Sequence, residues 1–164
     1  MWPLRKDVPL NPRAKFRTGT ALLNRGRIQE AIPILRELCQ EQPENGTAAL
    51  NLGIAYHRDG RHTLAIEQFQ RATQLLPADA RPLLNLAAAE NSLGHVDKAE
   101  KYLLRALEMN PQQPGIHYNL AVIYLKRNQL PNAMSEMELE LSVNPRHVET
   151  RAAIKALRQR LLPH

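Results

Sequence analysis

Asn51, Asn85 and Asn119 stand 34 residues apart, and each is followed by a leucine and then a glycine or alanine. A carboxamide carries both hydrogen-bond donors and an acceptor. It can therefore hold the main chain of an extended peptide whatever side chains that peptide bears. The six histidines, at 57, 62, 95, 117, 147 and 164, follow no metal-ligand pattern such as HExxH. No glycine-rich phosphate loop is present, and Ser92, Ser135 and Ser142 lack the context of a nucleophile elbow. Cys39 is the single cysteine, so neither an internal disulfide nor a thiolate metal site is expected. No catalytic residue, metal or cofactor is expected. The function to look for is binding.

The elements that would carry the amides follow from the same beat. Prolines at 43, 77, 111 and 145, alanines at 31, 65, 99 and 133, and Gly26, Gly60, Gly94 and Asn128 all recur every 34 residues. Repeats in phase on this scale mean a stacked array of one small unit. Between these marks the apolar residues keep helical spacing, as Ala49, Leu52, Gly53 and Tyr56 do at i, i+3, i+4 and i+7. After Gly60, Leu64, Ala65, Ile66, Phe69 and Ala72 form a second amphipathic set. Each unit reads as helix, short turn, helix, proline turn. Glycine and asparagine tolerate the left-handed conformation that closes a helix, and proline stops the next one.

This pattern resembles the tetratricopeptide repeat, a 34-residue helical hairpin. Leu52, Gly53, Tyr56, Gly60, Ala65, Phe69, Ala72 and Pro77 fall at that family's signature positions, and residues 80–113 and 114–147 repeat most of them. Unit 12–45 is in phase through Gly19, Leu22, Gly26, Ala31, Leu35, Leu38 and Pro43. The resemblance implies an all-α, right-handed solenoid of four hairpins, 12–45, 46–79, 80–113 and 114–147. A basic helix in 148–164 is expected to cap it, with Val148, Ala152, Ile154 and Leu157 facing the last repeat. Residues 1–11, with Pro3 and Pro9, read as an extended or disordered arm in which Trp2 either docks against the first repeat or is loose.

In such a solenoid the first helix of each unit lines the inner face. The resemblance thus places Asn51, Asn85 and Asn119 in a ladder along a groove. The same register brings Phe16 and Arg17 from the first unit, and Leu50, Ile54, His57 and Arg58 from the second. It adds Arg81 and Leu84 from the third, and Tyr118 and Lys126 from the fourth. None of the 24 projected groove positions is acidic, although the chain has 16 Asp and Glu. The expected ligand is an extended segment of another protein, acidic or ending in a free carboxylate, which arginine can grip with two hydrogen bonds. Some members of the family clamp the carboxylate of chaperone tails. The corresponding positions hold Phe16, Thr20, Asn51, Arg81 and Asn85, too poor a match to expect that clamp. Self-assembly into an oligomeric scaffold is the alternative reading. Binding of single-stranded RNA is a weaker one, because Phe16 and Tyr118 are the only groove aromatics on which bases could stack.

The formal charge of +6 sits at the ends of the chain. Residues 1–27 carry seven Lys and Arg against Asp7, and residues 141–164 carry five against Glu149. No apolar run reaches the roughly 20 residues of a membrane span, and a reducing cytoplasm fits the lone cysteine. Two departures from a plain repeat and two further patterns carry expectations. Pro33 falls inside a second helix and removes one of its backbone hydrogen bonds. Glu140 stands where the family has alanine and is expected to reach solvent or Arg151. Asp97 and Glu100 form the pattern of a capping box. Gly53 with Ala65, and Ala87 with Ala99, are the expected small pairs at the helix crossings.

Overall fold

The structure is a computed structural model that describes residues 10–161. The expected docking of Trp2, most of the 1–11 arm and the last three residues lie outside the described part. Nine helices are described: α1 (Pro12–Asn24), α2 (Ile28–Glu41), α3 (Gly46–Arg58), α4 (His62–Leu75), α5 (Arg81–Ser92), α6 (Val96–Met109), α7 (Ile116–Lys126), α8 (Leu130–Val143) and α9 (Val148–Leu161). No strand occurs among the described residues. The fold is all-α, four successive hairpins and a final single helix. By contacts the chain divides into two compact units, Met1–Leu76 and Pro77–His164. In the first, α1 pairs with α2 and α3 with α4, and α3 packs on both helices of the preceding hairpin. In the second, α5 pairs with α6 and α7 with α8, α7 packs on α5 and α6, and α9 lies on α8.

The turns follow directly from the sequence marks. Gly26, Gly60 and Gly94 have φ of 74°, 77° and 82°, and Asn128 takes the same left-handed place at 56°. α2 runs through Pro33 without interruption. Pro33 lies on the exposed side of that helix. The first three second helices present a narrow apolar stripe: Ala31, Leu35 and Leu38 in α2, Ala65, Phe69 and Ala72 in α4, Ala99, Leu103 and Ala106 in α6, all essentially inaccessible to solvent. Burial of Cys39 pushes its thiol pKa up, so it behaves as a small apolar core residue.

In the first two hairpins the nearest side chain to the first-helix glycine is the large residue at the centre of the second helix. A Cβ on Gly53 would lie 2.5 Å from Cε1 of Phe69, and one on Gly19 would lie 2.7 Å from Cδ2 of Leu35. The glycines make room for the large residue at the centre of the second helix. In the third repeat the same two places hold Ala87 and Leu103, both buried. An alanine thus fits opposite leucine but meets the rigid ring edge opposite phenylalanine. Gly53→Ala gains about 1 kcal/mol of helix propensity and meets an overpacking cost of about 1–3 kcal/mol. The net result expected in urea denaturation is a loss of stability. Adding Phe69→Leu, which recreates the Ala87–Leu103 pairing, should abolish that loss. A double-mutant cycle with no coupling would refute this account of Gly53.

The first helices show how they are started. Asn11 accepts the Ala14 N–H at 2.9 Å, Asn45 accepts the Ala48 N–H at 2.9 Å, and Asp79 accepts the Arg81 N–H at 2.9 Å. These residues are one repeat apart and satisfy amide groups that a helix start leaves without partners. The next place in the series is Gln113, and there the scheme breaks. α7 begins only at Ile116, behind Gly115 with φ 92°, a cap residue that has no side chain.

Glu140 of α8 takes over, contrary to the expectation that it reaches solvent or Arg151. It is fully buried. Its two oxygens each accept the Gly115 N–H at 3.0 Å, and one also accepts the Tyr118 N–H at 3.3 Å. A carboxylate is stabilised at a helix N-terminus by the exposed amides and the helix dipole. Arg151 donates instead to the Pro145 carbonyl. The capping-box expectation for Asp97 and Glu100 is also corrected, since α6 has no side-chain cap. Both acids bind Arg127 at the end of α7, at 2.7 and 2.8 Å, and pin the third repeat to the fourth.

α9 continues the register of the first helices. Thr150, Ile154 and Leu157 are buried. Val148 and Ala152, expected to face the last repeat, are exposed, because residues at i and i+4 from 148 lie on the other side of the helix from 150, 154 and 157. Ile154 joins Ala121 and Met137 in a small core.

Candidate functional site

The projected groove residues divide by what they already touch. In the first unit, Phe16 and Arg17 lie on α1 and border a recess of about 470 Å³ together with Asn11, Arg13 and Ala14. Phe16 is half-buried and Arg17 exposed. Asn51 on α3 donates its Nδ2 to the Thr20 hydroxyl on α1 at 3.0 Å, a bond between repeats. Ile54 and His57 are half-buried on the same helix. The His57 ring stacks against His62 with centroids 5.0 Å apart. Leu50 is only 2% exposed. It is a core residue and not a groove contact, because α3 is covered by α1 and α2 as well as by its own partner α4.

In the second unit, Leu84 and Asn85 on α5 and Tyr118 and Asn119 on α7 are half-buried. Asn85 donates its Nδ2 to the Arg81 carbonyl at 2.8 Å. Asn119 does the same to the Gly115 carbonyl at 2.7 Å. Each amide is thus held by the residue four places back on its own helix. One N–H is used, and Oδ1 faces away from that bond. The Tyr118 ring stacks on His147 with centroids 4.8 Å apart.

Three of the cations at projected groove positions, Arg58, Arg81 and Lys126, are committed to the protein itself. Arg58 donates to the Leu23 carbonyl at 3.0 Å. Two repeats later, Lys126 donates to the Asn91 carbonyl at 3.1 Å and to its Oδ1 at 2.6 Å. Leu23 and Asn91 are equivalent positions, so both cations satisfy the end of the preceding first helix, where carbonyls lack partners. Arg81 forms a bidentate pair with Asp79, its closest contact 2.6 Å. The Arg81 guanidinium holds the Asp79 carboxyl below its usual pKa. The acid-free reading of the groove therefore does not extend to Arg81, whose charge is met by an aspartate just outside the projected set. Among the described residues, the projected groove cations Arg13 and Arg17 have no such internal bond.

Sequence reasoning missed Thr20 as the partner of Asn51, and it missed Glu140 as the cap of α7. The interruption of the Asn11, Asn45, Asp79 series at Gln113 was the signal that could have pointed to the second. Among the described residues, no cluster of three or more His, Cys, Asp or Glu has a metal-binding arrangement, and no helix is long and apolar enough to cross a membrane.

Sequence models described as "Tetratricopeptide repeat" match residues 4–46, 47–112 and 102–134. The chain belongs to the tetratricopeptide repeat family. Repeats of this family are protein–protein interaction scaffolds and are generally not catalytic. No curated protein sequence matches the chain significantly. Similar solved structures include a thermophilic repeat protein of Thermus thermophilus, with TM-score 0.79, 23% identity and coverage of 93% of this chain and 84% of that one. PilF of Pseudomonas aeruginosa gives TM-score 0.78 and 21% identity over 91% of this chain and 68% of that one. A chain of the Cut9–Hcn1 hetero-tetramer of the APC/C gives TM-score 0.85 and 19% identity, covering 92% of this chain. The present chain spans 30% of that relative's length. At these identities the likeness establishes the tetratricopeptide fold.

Proposed function

We propose that this tetratricopeptide protein is a non-enzymatic adaptor that holds an extended segment of a partner protein against the faces of its first helices. One observation carries the reading. Asn85 and Asn119 stand on neighbouring helices one repeat apart, and each is fixed by the same bond to the carbonyl four residues back. Two amides preset in the same way present equivalent groups at a regular step, which suits the repeating main chain of a peptide. In the first unit, Phe16, Arg17, Asn51 and Ile54 form the corresponding face. Arg17 supplies a preference for an acidic side chain or a terminal carboxylate. The Cut9–Hcn1 relative was solved in a hetero-tetramer, which accords with a role in holding other proteins.

The test is a pull-down with the wild-type chain, mapping of the captured partner's bound segment by cross-linking, and titration of that segment. Each amide removed from a bound backbone costs about 0.5–1.5 kcal/mol. Asn85→Ala with Asn119→Ala should thus weaken binding about 5- to 150-fold, while thermal stability changes little. Equal affinity for the wild type and the double variant would remove the first-helix faces as the site.

A further inference from the structure

We propose that the exposed face of α9 docks an acidic amphipathic helix of a partner protein, independently of the first-helix faces. α9 occupies the place of a first helix, three repeats after α3. In every earlier repeat a second helix covers the first, but no described helix covers α9 in that way. Where α3 has the buried Ala49, Gly53 and Tyr56, α9 has the exposed Arg151, Lys155 and Arg158. They follow i, i+4, i+7 spacing and form one basic rail. Beside it run Val148, which is 70% exposed, and the exposed Ala152 and Ala156. Ala156 also borders an apolar recess of about 180 Å³ between α7, α8 and α9, lined with Leu125, Met137, Ala153 and Leu157. Low side chains beside a basic rail let a helix settle with its apolar edge inward and its acids on the cations.

The molecule contains its own precedent for the charge pairing. Lys15 of α1 is the equivalent of Arg151. It is buried against Glu37 and Glu41 of α2, at 2.6 and 2.5 Å, two acids one helical turn apart. His117, the equivalent in α7, lies 2.7 Å from Glu136 of α8. At this position on a first helix, the Lys15 cation and the His117 ring thus meet carboxylates from the helix lying over them. Arg151 repeats the cation with no acidic helix above it. Among the described residues its guanidinium donates to the Pro145 carbonyl alone. Arg158 makes one 3.3 Å contact with the exposed Glu138. Glu149 is the only acid on α9. Lys155 stands where the other repeats have glycine or alanine, so the partner helix cannot approach as closely as in a repeat hairpin. The complex is led by charge and reversible.

The probe is a fluorescein-labelled peptide of residues 28–44 carrying Pro33→Ala and Cys39→Ser, which presents Glu37 and Glu41 on one face. Anisotropy titrations against the full chain should show binding at low salt that weakens about tenfold or more between about 50 and 300 mM NaCl. R151E/K155E/R158E should lose at least as much, and K101E/R105E, equally exposed on α6, should not. A probe with Glu37→Gln and Glu41→Gln should bind weakly to the wild type, which decides the matter even if the triple variant misfolds. The proposal is overturned by absence of binding, by equal binding of the two probes, or by equal binding to the charge-reversed chain. It is equally overturned if a single-stranded RNA oligonucleotide binds the same rail more tightly than the peptide.

Discussion

Glu140→Ala should destabilise the second unit by about 2–4 kcal/mol, a large fraction of what a small domain has to lose. The wild-type carboxylate accepts the amides of Gly115 and Tyr118 at the start of α7. Removing it leaves both without this partner at a part-buried helix start, and each unsatisfied buried group costs about 1–3 kcal/mol. Relief of the carboxylate's own desolvation offsets part of this, which keeps the total below the sum for two amides and a cavity. Glu140→Gln retains one acceptor oxygen but no charge, so it should lose about half as much. Glu138→Ala, two residues away and exposed, is the control and should stay within about 0.5 kcal/mol of wild type. Urea denaturation decides it, and a Glu140→Ala chain as stable as the control would sink the capping account. The substitution also reaches the candidate site. Gly115 both donates to Glu140 and accepts from the Asn119 amide, so loosening it should release that side chain and weaken peptide binding. Glu140 acts there as a positioning residue.

The second large effect is expected at the cap. Ile154 and Leu157 are the apolar residues that α9 buries. Ile154→Ala with Leu157→Ala should cost about 3–5 kcal/mol. That is the low end for two core truncations of this type, because Leu157 already borders an open recess of about 180 Å³. Deleting 148–164 should go further and bare Ala121 and Met137, both otherwise inaccessible. The truncated chain should melt earlier, bind an apolar dye and self-associate in light scattering. A truncated chain with an unchanged melting temperature would show that α9 is not a cap.

How much of this was legible in the sequence depends on the kind of interaction. The 34-residue beat, the helix pairs, the left-handed turn residues at 26, 60, 94 and 128 and the buried stripes all follow from local rules. A glycine or asparagine closes a helix wherever it stands, and apolar residues at helical spacing face one way. Such signals add up along the chain and survive substitution of single residues. The small residue at 53 was visible too, but not its contact with Phe69, since Ala65 and Phe69 share one face of α4 and only the actual crossing brings the Phe69 ring edge to Gly53.

The polar residues were legible as types and not as pairs. Arg58, Arg81 and Lys126 looked like groove cations, and Asp97 with Glu100 looked like a local cap. The fold assigned Arg58 to a carbonyl 35 residues back, Lys126 to its equivalent two repeats on, and Asp97 and Glu100 to Arg127. A long charged side chain can reach several partners at little difference in energy, and the winner is set by which backbone end or opposite charge the packing brings within about 3 Å. The sequence alone thus determined the repeat, its count and its turns, because those rest on sterics and burial repeated in register. The tertiary structure alone decided which amides and cations are spent on holding repeats together and which remain for a partner, because hydrogen bonds depend on distances that no spacing along the chain encodes.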